Sequence, residues 1–417
     1  MEFSNNLMHA RSLAPLRGGL RRGEAHGKAK REAASFSFGI EEEFFLADSV
    51  TGALATETPP ALFEAAKRAT DGLVEREFLQ SQVEVTTPPY TSFRDAGTEL
   101  SYVRNVLCRL ASSYGLSVLA CATHPTGQWQ ETVQSHKERY DRVMSELQMI
   151  GRRNLVCGMH VHVSVPEPDR RVEIMQGLTP YLPLLLALST SSPFWQSRLT
   201  GLKGYRLAAY DELPRSGIPE AFESTRDYEA YVQALVRSGA AEDGSYVWWM
   251  VRPSAKYPTL ELRAPDVCTR MDDALAIAAL YRALVRHLYY KQPGARLTAI
   301  ARALAVENKW RAQKHGVMGS FIFERKTIPV SEYLEEVIAK TRIDAEELDC
   351  ATEVANCRDI VARGTSADIQ VAIYEAARRS TGTEEALAAV TQWVAETTKL
   401  VASPERPNVP LDRLPRG

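Results

Sequence analysis

Four glutamates of this chain fall inside short segments patterned like strands. Glu41 and Glu43 lie in Phe38-Gly39-Ile40-Glu41-Glu42-Glu43-Phe44, Glu84 in Val83-Glu84-Val85-Thr86, and Glu261 in Thr259-Leu260-Glu261-Leu262-Arg263. Residues two apart on a strand share a face, so Glu41 and Glu43 project together while Glu42 points away. One such glutamate alone reads as an exposed strand residue, because glutamate is seldom buried unpaired. Several on one sheet face would repel one another and need divalent cations or arginines to stay ionised. His160 and His162 repeat the same alternation. An HxH pair is compatible with zinc or with two core or substrate-contacting imidazoles. Beside glutamates, the chemistry points to magnesium or manganese, hard cations that prefer oxygen and tolerate one imidazole.

Phosphates, if bound, must be held without a glycine loop. The stretch from Gly23 to Lys28 is one residue short of a phosphate loop and lacks the following Ser/Thr, and no GxGxxG follows a strand. Arg206, Arg252 and Arg263 are the available guanidiniums, suited to bidentate carboxylate or phosphate binding. Each alone is equally compatible with an ion pair; Arg263 shares a strand face with Glu261. Trp249, in Trp248-Trp249, is a candidate to stack on a flat ligand, set against a place in the core. No Gly-x-Ser-x-Gly occurs, and none of the six cysteines sits in a CxxC pair or a protease signature.

The elements that would position these groups follow from hydrophobic period. Strands are expected at 36–46, 79–86, 116–122, 155–165, 246–251 and 259–263. Helices are expected at 93–114, 137–150, 172–190 with a kink at Pro183, 271–290, 296–304, 330–340, 345–361, 366–379 and 384–401. Residues 204–220 read as loop. Short strands scattered among helices, then a helical run, imply an α+β fold rather than a doubly wound sheet.

Composition bounds the class. The 417 residues are 45% hydrophobic and 24% charged, with net charge −2, which excludes a fibrous or wholly disordered chain and any global field for nucleic acid or membrane. The longest apolar stretch, near 181–188, is too short to span a bilayer. Residues 1–34 carry seven Lys/Arg against three Asp/Glu and read as a disordered basic leader; residues 402–417, with four prolines, read as an exposed tail. The intervening 35–401 shows no repeat or linker and is expected to form a single catalytic domain. Scattered cysteines in a chain of this size suit reduced thiols in the cytoplasm.

In order along the chain, these segments resemble the carboxylate–amine ligases of the YbdK type, in the glutamate–cysteine ligase type 2 superfamily. The matching pieces begin with Phe38 to Phe44, Glu77 with Glu84-Val85-Thr86-Thr87-Pro88, Thr123-His124-Pro125 and Arg139-Tyr140. They continue with Gly158-Met159-His160-Val161-His162-Val163, Ser192-Pro193-Phe194-Trp195 and Thr200-Gly201-Leu202. The later ones are Trp248 to Ser254, Thr259 to Arg263, Glu307 to Ala312 and Gly364-Thr365-Ser366-Ala367-Asp368. The resemblance implies a half-open, mainly antiparallel sheet with outer helices, related to the glutamine synthetase and guanido kinase catalytic domain, binding ATP with Mg2+ (or Mn2+). It implies metal seats at Glu41, Glu43, Glu77, Glu84, His160 and Glu261, of which Glu77 enters by resemblance alone. Arg263 and Arg206 would stabilise charge on the transferred phosphate, and Arg252, Trp249 and Lys309 would serve the nucleotide. The activity implied joins a small-molecule carboxylate to an amine through an acyl phosphate, with glutamate and cysteine as the family's pair, in a homodimer. Met250 stands where many relatives carry Asp, and Lys309 and Lys314 replace arginines common in the family. These departures touch the substrate, not the fold. They leave open a metal-dependent amide or ester hydrolase using His160, His162 and the acids, and a non-catalytic relative that binds nucleotide or amino acid.

Overall fold

The computed structural model describes residues 36–135, 138–291 and 297–400, excluding the side chains of 138–140; the leader and the tail fall outside them. Strand β1 (Phe38–Asp48) is the axis of the fold. Phe38, Ile40, Glu42 and Phe44 are buried at alternate positions, while Gly39, Glu41 and Glu43 between them remain partly accessible. This period of two assigns the apolar set, with Glu42, to the helical layer and leaves Glu41 and Glu43 on the opposite face.

On one edge β1 pairs with β3 (Gln82–Thr86), which pairs in turn with β2 (Val74–Arg76). On the other edge it pairs first with β5 (Met159–Ser164) and farther along with β4 (Leu116–Leu119). Outside β5 lie β7 (Thr259–Leu262) and then β6 (Val251–Pro253), completing a seven-stranded, wholly antiparallel sheet.

Helix α1 (Phe93–Ser113) opens at Ser92, whose hydroxyl accepts from the Asp95 amide at 3.2 Å. It buries Ala96, Leu100, Val103, Leu107 and Leu110 at helical spacing. Each fully buried leucine or valine contributes about 1.5–3 kcal/mol of transfer free energy. Helix α2 (Met271–Tyr290) is buried almost all round, and together α1 and α2 cover the apolar sheet face. The C-terminal helices Val330–Glu347, Ser366–Thr381 and Thr383–Lys399 close the outside.

Several expectations shift. The 172–190 helix is two helices, Arg171–Leu178 and Leu182–Ser189, joined by a 3-10 turn at Thr179–Tyr181. Pro180 and Pro183 lack N–H groups and fit the starts of the turn and of the second helix, so the break precedes Pro183. The whole Pro168–Ser189 run is apolar and long enough to cross a membrane by length and composition, but it is mostly buried in this core. Regular strand begins only at Gln82 in the 79–86 segment and runs only from Met159 to Ser164 in 155–165. The 246–251 strand is split between Trp248–Trp249, paired with Ser216–Gly217, and β6. Helices Pro60–Ala69, Tyr205–Tyr210 and Thr225–Arg237 and the hairpin Ser320–Phe323/Lys326–Pro329 were not legible in the pattern.

Candidate functional site

Register gathers the singled-out residues into one row across the sheet. Glu43 lies opposite Glu84, and Glu84 opposite Glu75. On the other edge Glu41 lies opposite His160, His162 opposite both Gly39 and Glu261, and Glu261 opposite Arg252. Directly opposed residues share a face, so an acidic end at β2, β3 and β1 runs into an imidazole centre and an arginine end at β7 and β6. Glu75 was not anticipated; it is exposed and 3.8 Å from Lys67. Glu77 is just past β2, its amide reaching the Gln82 carbonyl at 3.4 Å. The buried Cys157 thiol is pushed well above its ordinary value by burial and then by the Glu43 charge.

At the centre, His160 Nδ1 is 3.1 Å from Glu41 Oε2, and His162 Nε2 is 3.4 Å from Glu41 Oε1. His162 Nδ1 is fixed by the Thr259 hydroxyl at 3.0 Å. Burial by itself would raise the Glu41 carboxyl, but the two histidines outweigh it and hold it well below the usual range. Burial, helped by the Arg263 charge, lowers His160. A neutral His160 satisfies Glu41 by donating from Nδ1, which leaves the Nε2 lone pair free. That Nε2 is buried with no hydrogen-bond partner and faces Glu43 Oε1 at 3.7 Å. Glu43 is aimed by its other oxygen, which accepts the Gly158 amide at 2.6 Å.

At the arginine end, Arg252 grips Glu261 in a fork, Nε to Oε2 at 2.9 Å and Nη2 to Oε1 at 3.0 Å. Its remaining nitrogen donates to the Ser245 and Val247 carbonyls at 2.7 and 2.9 Å. Arg263 Nη1 also donates to Glu261, and Nη2 donates to the Tyr210 hydroxyl at 3.1 Å. Burial would raise Glu261, yet the two guanidiniums keep it far below its ordinary value. Arg263 Nε is buried and unpartnered.

The other predicted residues are placed differently. Arg206 is almost fully buried and lies against Gly158, its Nη1 donating to the Arg263 and Pro265 carbonyls at 3.2 and 3.1 Å and its Nε unpartnered. Trp249 is 2% exposed, with its ring stacked on Tyr231 at 5.7 Å and flanked by Phe222 and Tyr228. The expected stacking face is therefore taken by core aromatics. Lys309 pairs with Asp211, next to Tyr210, so it borders the arginine end without joining the row. Met250 is buried, its amide on the Gly217 carbonyl at 2.8 Å. Tyr210, Gly158 and Asp266 were missed. Asp266 accepts from the Ser191 amide and Ser192 hydroxyl and is pushed up to about 6 by burial. Gly158 and Asp266 lie outside regular strands, and Tyr210 ends a helix of six residues, too short to leave a periodic signal.

The donor set suits a hard divalent cation. It is rich in carboxylate oxygen, offers one neutral imidazole, and sets an unpartnered Nε2 lone pair against a carboxylate oxygen, two acceptors that a cation would reconcile. Among the described residues, no three such side chains already converge at metal-binding geometry. Glu261 accounts for part of this, since both its oxygens are engaged by arginines. A row of carboxylates meeting arginines is the layout phosphoryl transfer needs: seats for cations and donors for phosphate oxygens.

The fold that carries the site is an open antiparallel sheet backed by helices. The fold is shared with a bifunctional glutathione synthetase from Pasteurella multocida (TM-score 0.68, 17% identity, covering 90% of this chain and 54% of that one). It is also shared with a glutamate–cysteine ligase from Francisella tularensis in complex with AMP (TM-score 0.65, 14% identity, 88% and 89% covered). Residues 37–391 match the model of glutamate–cysteine ligase family 2. Proteins provisionally named glutamate–cysteine ligase 2 are 51% identical in Bradyrhizobium sp. strain ORS 278, over 89% of this chain and 90% of the relative. In Rhodospirillum rubrum the identity is 43%, over 86% and 94%. The chain belongs to glutamate–cysteine ligase family 2, a family of ATP-dependent ligases that form carbon–nitrogen bonds.

Proposed function

We propose that this protein joins the γ-carboxylate of glutamate to the amine of cysteine, using ATP and Mg2+, with Mn2+ as a substitute. The observation that carries the reading is the row itself: register brings Glu84, Glu43, Glu41, His160 and Glu261 onto one face and ends it in Arg263.

A carboxylate is a poor electrophile, so the acid is first phosphorylated to an acyl phosphate, which the amine then attacks with loss of phosphate. Glu41, Glu43, Glu77, Glu84, His160 and Glu261 would hold the cations, which supply charge neutralisation on the phosphate oxygens when bound. His160 is kept neutral by burial and turned by Glu41, so its Nε2 lone pair is directed into the site. Gly158 orients Glu43, and Arg252 orients Glu261. Arg263 is the group best placed to meet the transferred phosphate, since it sits beside Glu261 at the end of the row with its Nε unpartnered. Arg206 would reinforce that charge from behind Gly158, and Lys309, paired with Asp211 beside the arginine end, would serve the nucleotide. The six cysteines are free and buried, which supports a reducing cytoplasmic setting; a homodimer follows from the family resemblance.

Oxygen-18 tracing tests the mechanism. Glutamate labelled in its γ-carboxylate should pass one labelled oxygen to the released phosphate. Phosphate without label, formed at the rate of amide synthesis, would exclude the acyl phosphate route.

A further inference from the structure

Glu42, between Glu41 and Glu43, points to the opposite face and takes no part in the row. Its carboxylate is fully buried and paired in a fork with Arg104 of α1, Nε to Oε2 at 2.9 Å and Nη2 to Oε1 at 2.5 Å. The same guanidinium, 1% exposed, donates to the Thr269 carbonyl at 3.2 Å and the Cys268 carbonyl at 3.0 Å, and sits 5.1 Å from the centre of the Phe44 ring. A fully buried ion pair is a weak source of stability, because desolvation consumes most of the attraction, and apolar residues of similar volume usually hold a core as well. The strand and helix that carry the pair bury apolar neighbours along the chain, Ile40 and Phe44 on β1 and Val103 and Leu107 on α1.

We propose that the Glu42–Arg104 pair is a positioning device for the carboxylates above it. This rests on the reading of the row as a metal–nucleotide site. Two routes run from the one guanidinium to Glu43. Through Glu42 it fixes the pleat of β1, and thereby the direction in which Glu41 and Glu43 leave the strand. Through Cys268 and Thr269 it fixes the loop after β7, whose backbone tethers residues 157–159. Met159 N reaches the Pro265 carbonyl at 3.1 Å, and Gly158 is bridged to Asp266. Gly158 in turn supplies the amide that aims Glu43. Pro265 also offers its carbonyl to Arg206, so the same tether reaches the arginine behind the site.

The test replaces both partners, Glu42→Met with Arg104→Met, which removes the clamp without leaving a buried charge. Three readings are taken: unfolding temperature, Mn2+ affinity by electron paramagnetic resonance with ATP present, and kcat and KM for ADP release. The double variant is expected to unfold at or above the wild-type temperature, yet to lose about ten- to a hundredfold in Mn2+ affinity, the range for groups that orient metal ligands. Should it fail to fold, Arg104→Lys keeps Glu42 neutralised but surrenders the fork and the loop carbonyls, and it should show the same loss. A folded variant of either kind with wild-type Mn2+ affinity and turnover overturns the positioning role and leaves the ligase reading intact. Wild-type protein that neither binds Mn2+ nor releases ADP overturns both together.

Discussion

Gly158→Ala is the smallest change expected to disable the site. A Cβ at residue 158 would stand 2.1 Å from Arg206 Nη2, 2.6 Å from Cζ and 3.0 Å from Nε. Comfortable contact between such atoms begins near 3.5 Å, so something must yield by about 1 Å or more. The obstacle is the end of a long side chain, but here it is buried and held by the Arg263 and Pro265 carbonyls. Overpacking of this kind costs about 1–3 kcal/mol. Each hydrogen bond that the guanidinium gives up adds about 1.5–3 kcal/mol. If the backbone yields instead, the Gly158 amide leaves Glu43, and a shift of about 1 Å at a reacting site lowers turnover roughly a hundredfold. Thermal unfolding and ADP release, measured on the same preparation, separate the two responses, and at least one must change. Gly39→Ala, in β1, is the control: its nearest neighbour would be the Thr87 carbonyl at 3.6 Å, and stability should move by less than about 1 kcal/mol. Gly158→Ala with wild-type stability and turnover would refute the close approach of Arg206 and its coupling to Glu43.

Glu261→Ala leaves Arg252 and Arg263 without their shared anion; breaking a buried pair in this way should cost about 3–5 kcal/mol by denaturant unfolding, and a loss below 1 would contradict the pairing. His124 is lowered from 6.5 to about 3 by burial, so the folded state binds fewer protons than the unfolded one and stability falls as pH drops from 6.5 towards 3. In His124→Gln the slope of unfolding free energy against pH between 6 and 4 should be shallower by about 1.4 kcal/mol per unit; an unchanged slope would show that this imidazole titrates normally. Trp249→Ala should lose about 3–5 kcal/mol of stability because its ring is packed in the core. A raised KM for ATP with unaltered stability would instead restore its role as a ligand-stacking residue.

The acidic row was legible because strand geometry is strict. A period of two separates Glu41 and Glu43 from Glu42, and the same rule aligns His160 with His162 and Glu261 with Arg263. Which strands are neighbours is not contained in that period, and the proximity of Glu43 to Glu84 came from pairing register. The partners of each arginine were not legible either. Arg252 serves Glu261 across the β6–β7 register, Arg206 serves carbonyls of the loop at 263–265 and Lys309 serves Asp211, just past the Tyr205–Tyr210 helix. Trp249 shows the limit of composition: two adjacent tryptophans on a broken strand are told apart only by what packs on them, here Tyr231 against one and Arg215 against the other. The split of the 172–190 helix was half visible, since Pro183 marked the region while Pro180 lies in the first positions of the intervening turn.

Release of ADP from ATP and Mg2+, with glutamate and a panel of amines including cysteine, tests the central claim most directly, with Glu43→Ala alongside. The account predicts ADP release that requires both glutamate and cysteine and is abolished in a folded Glu43→Ala protein. ADP release independent of any amine, or undiminished by that substitution, would contradict it.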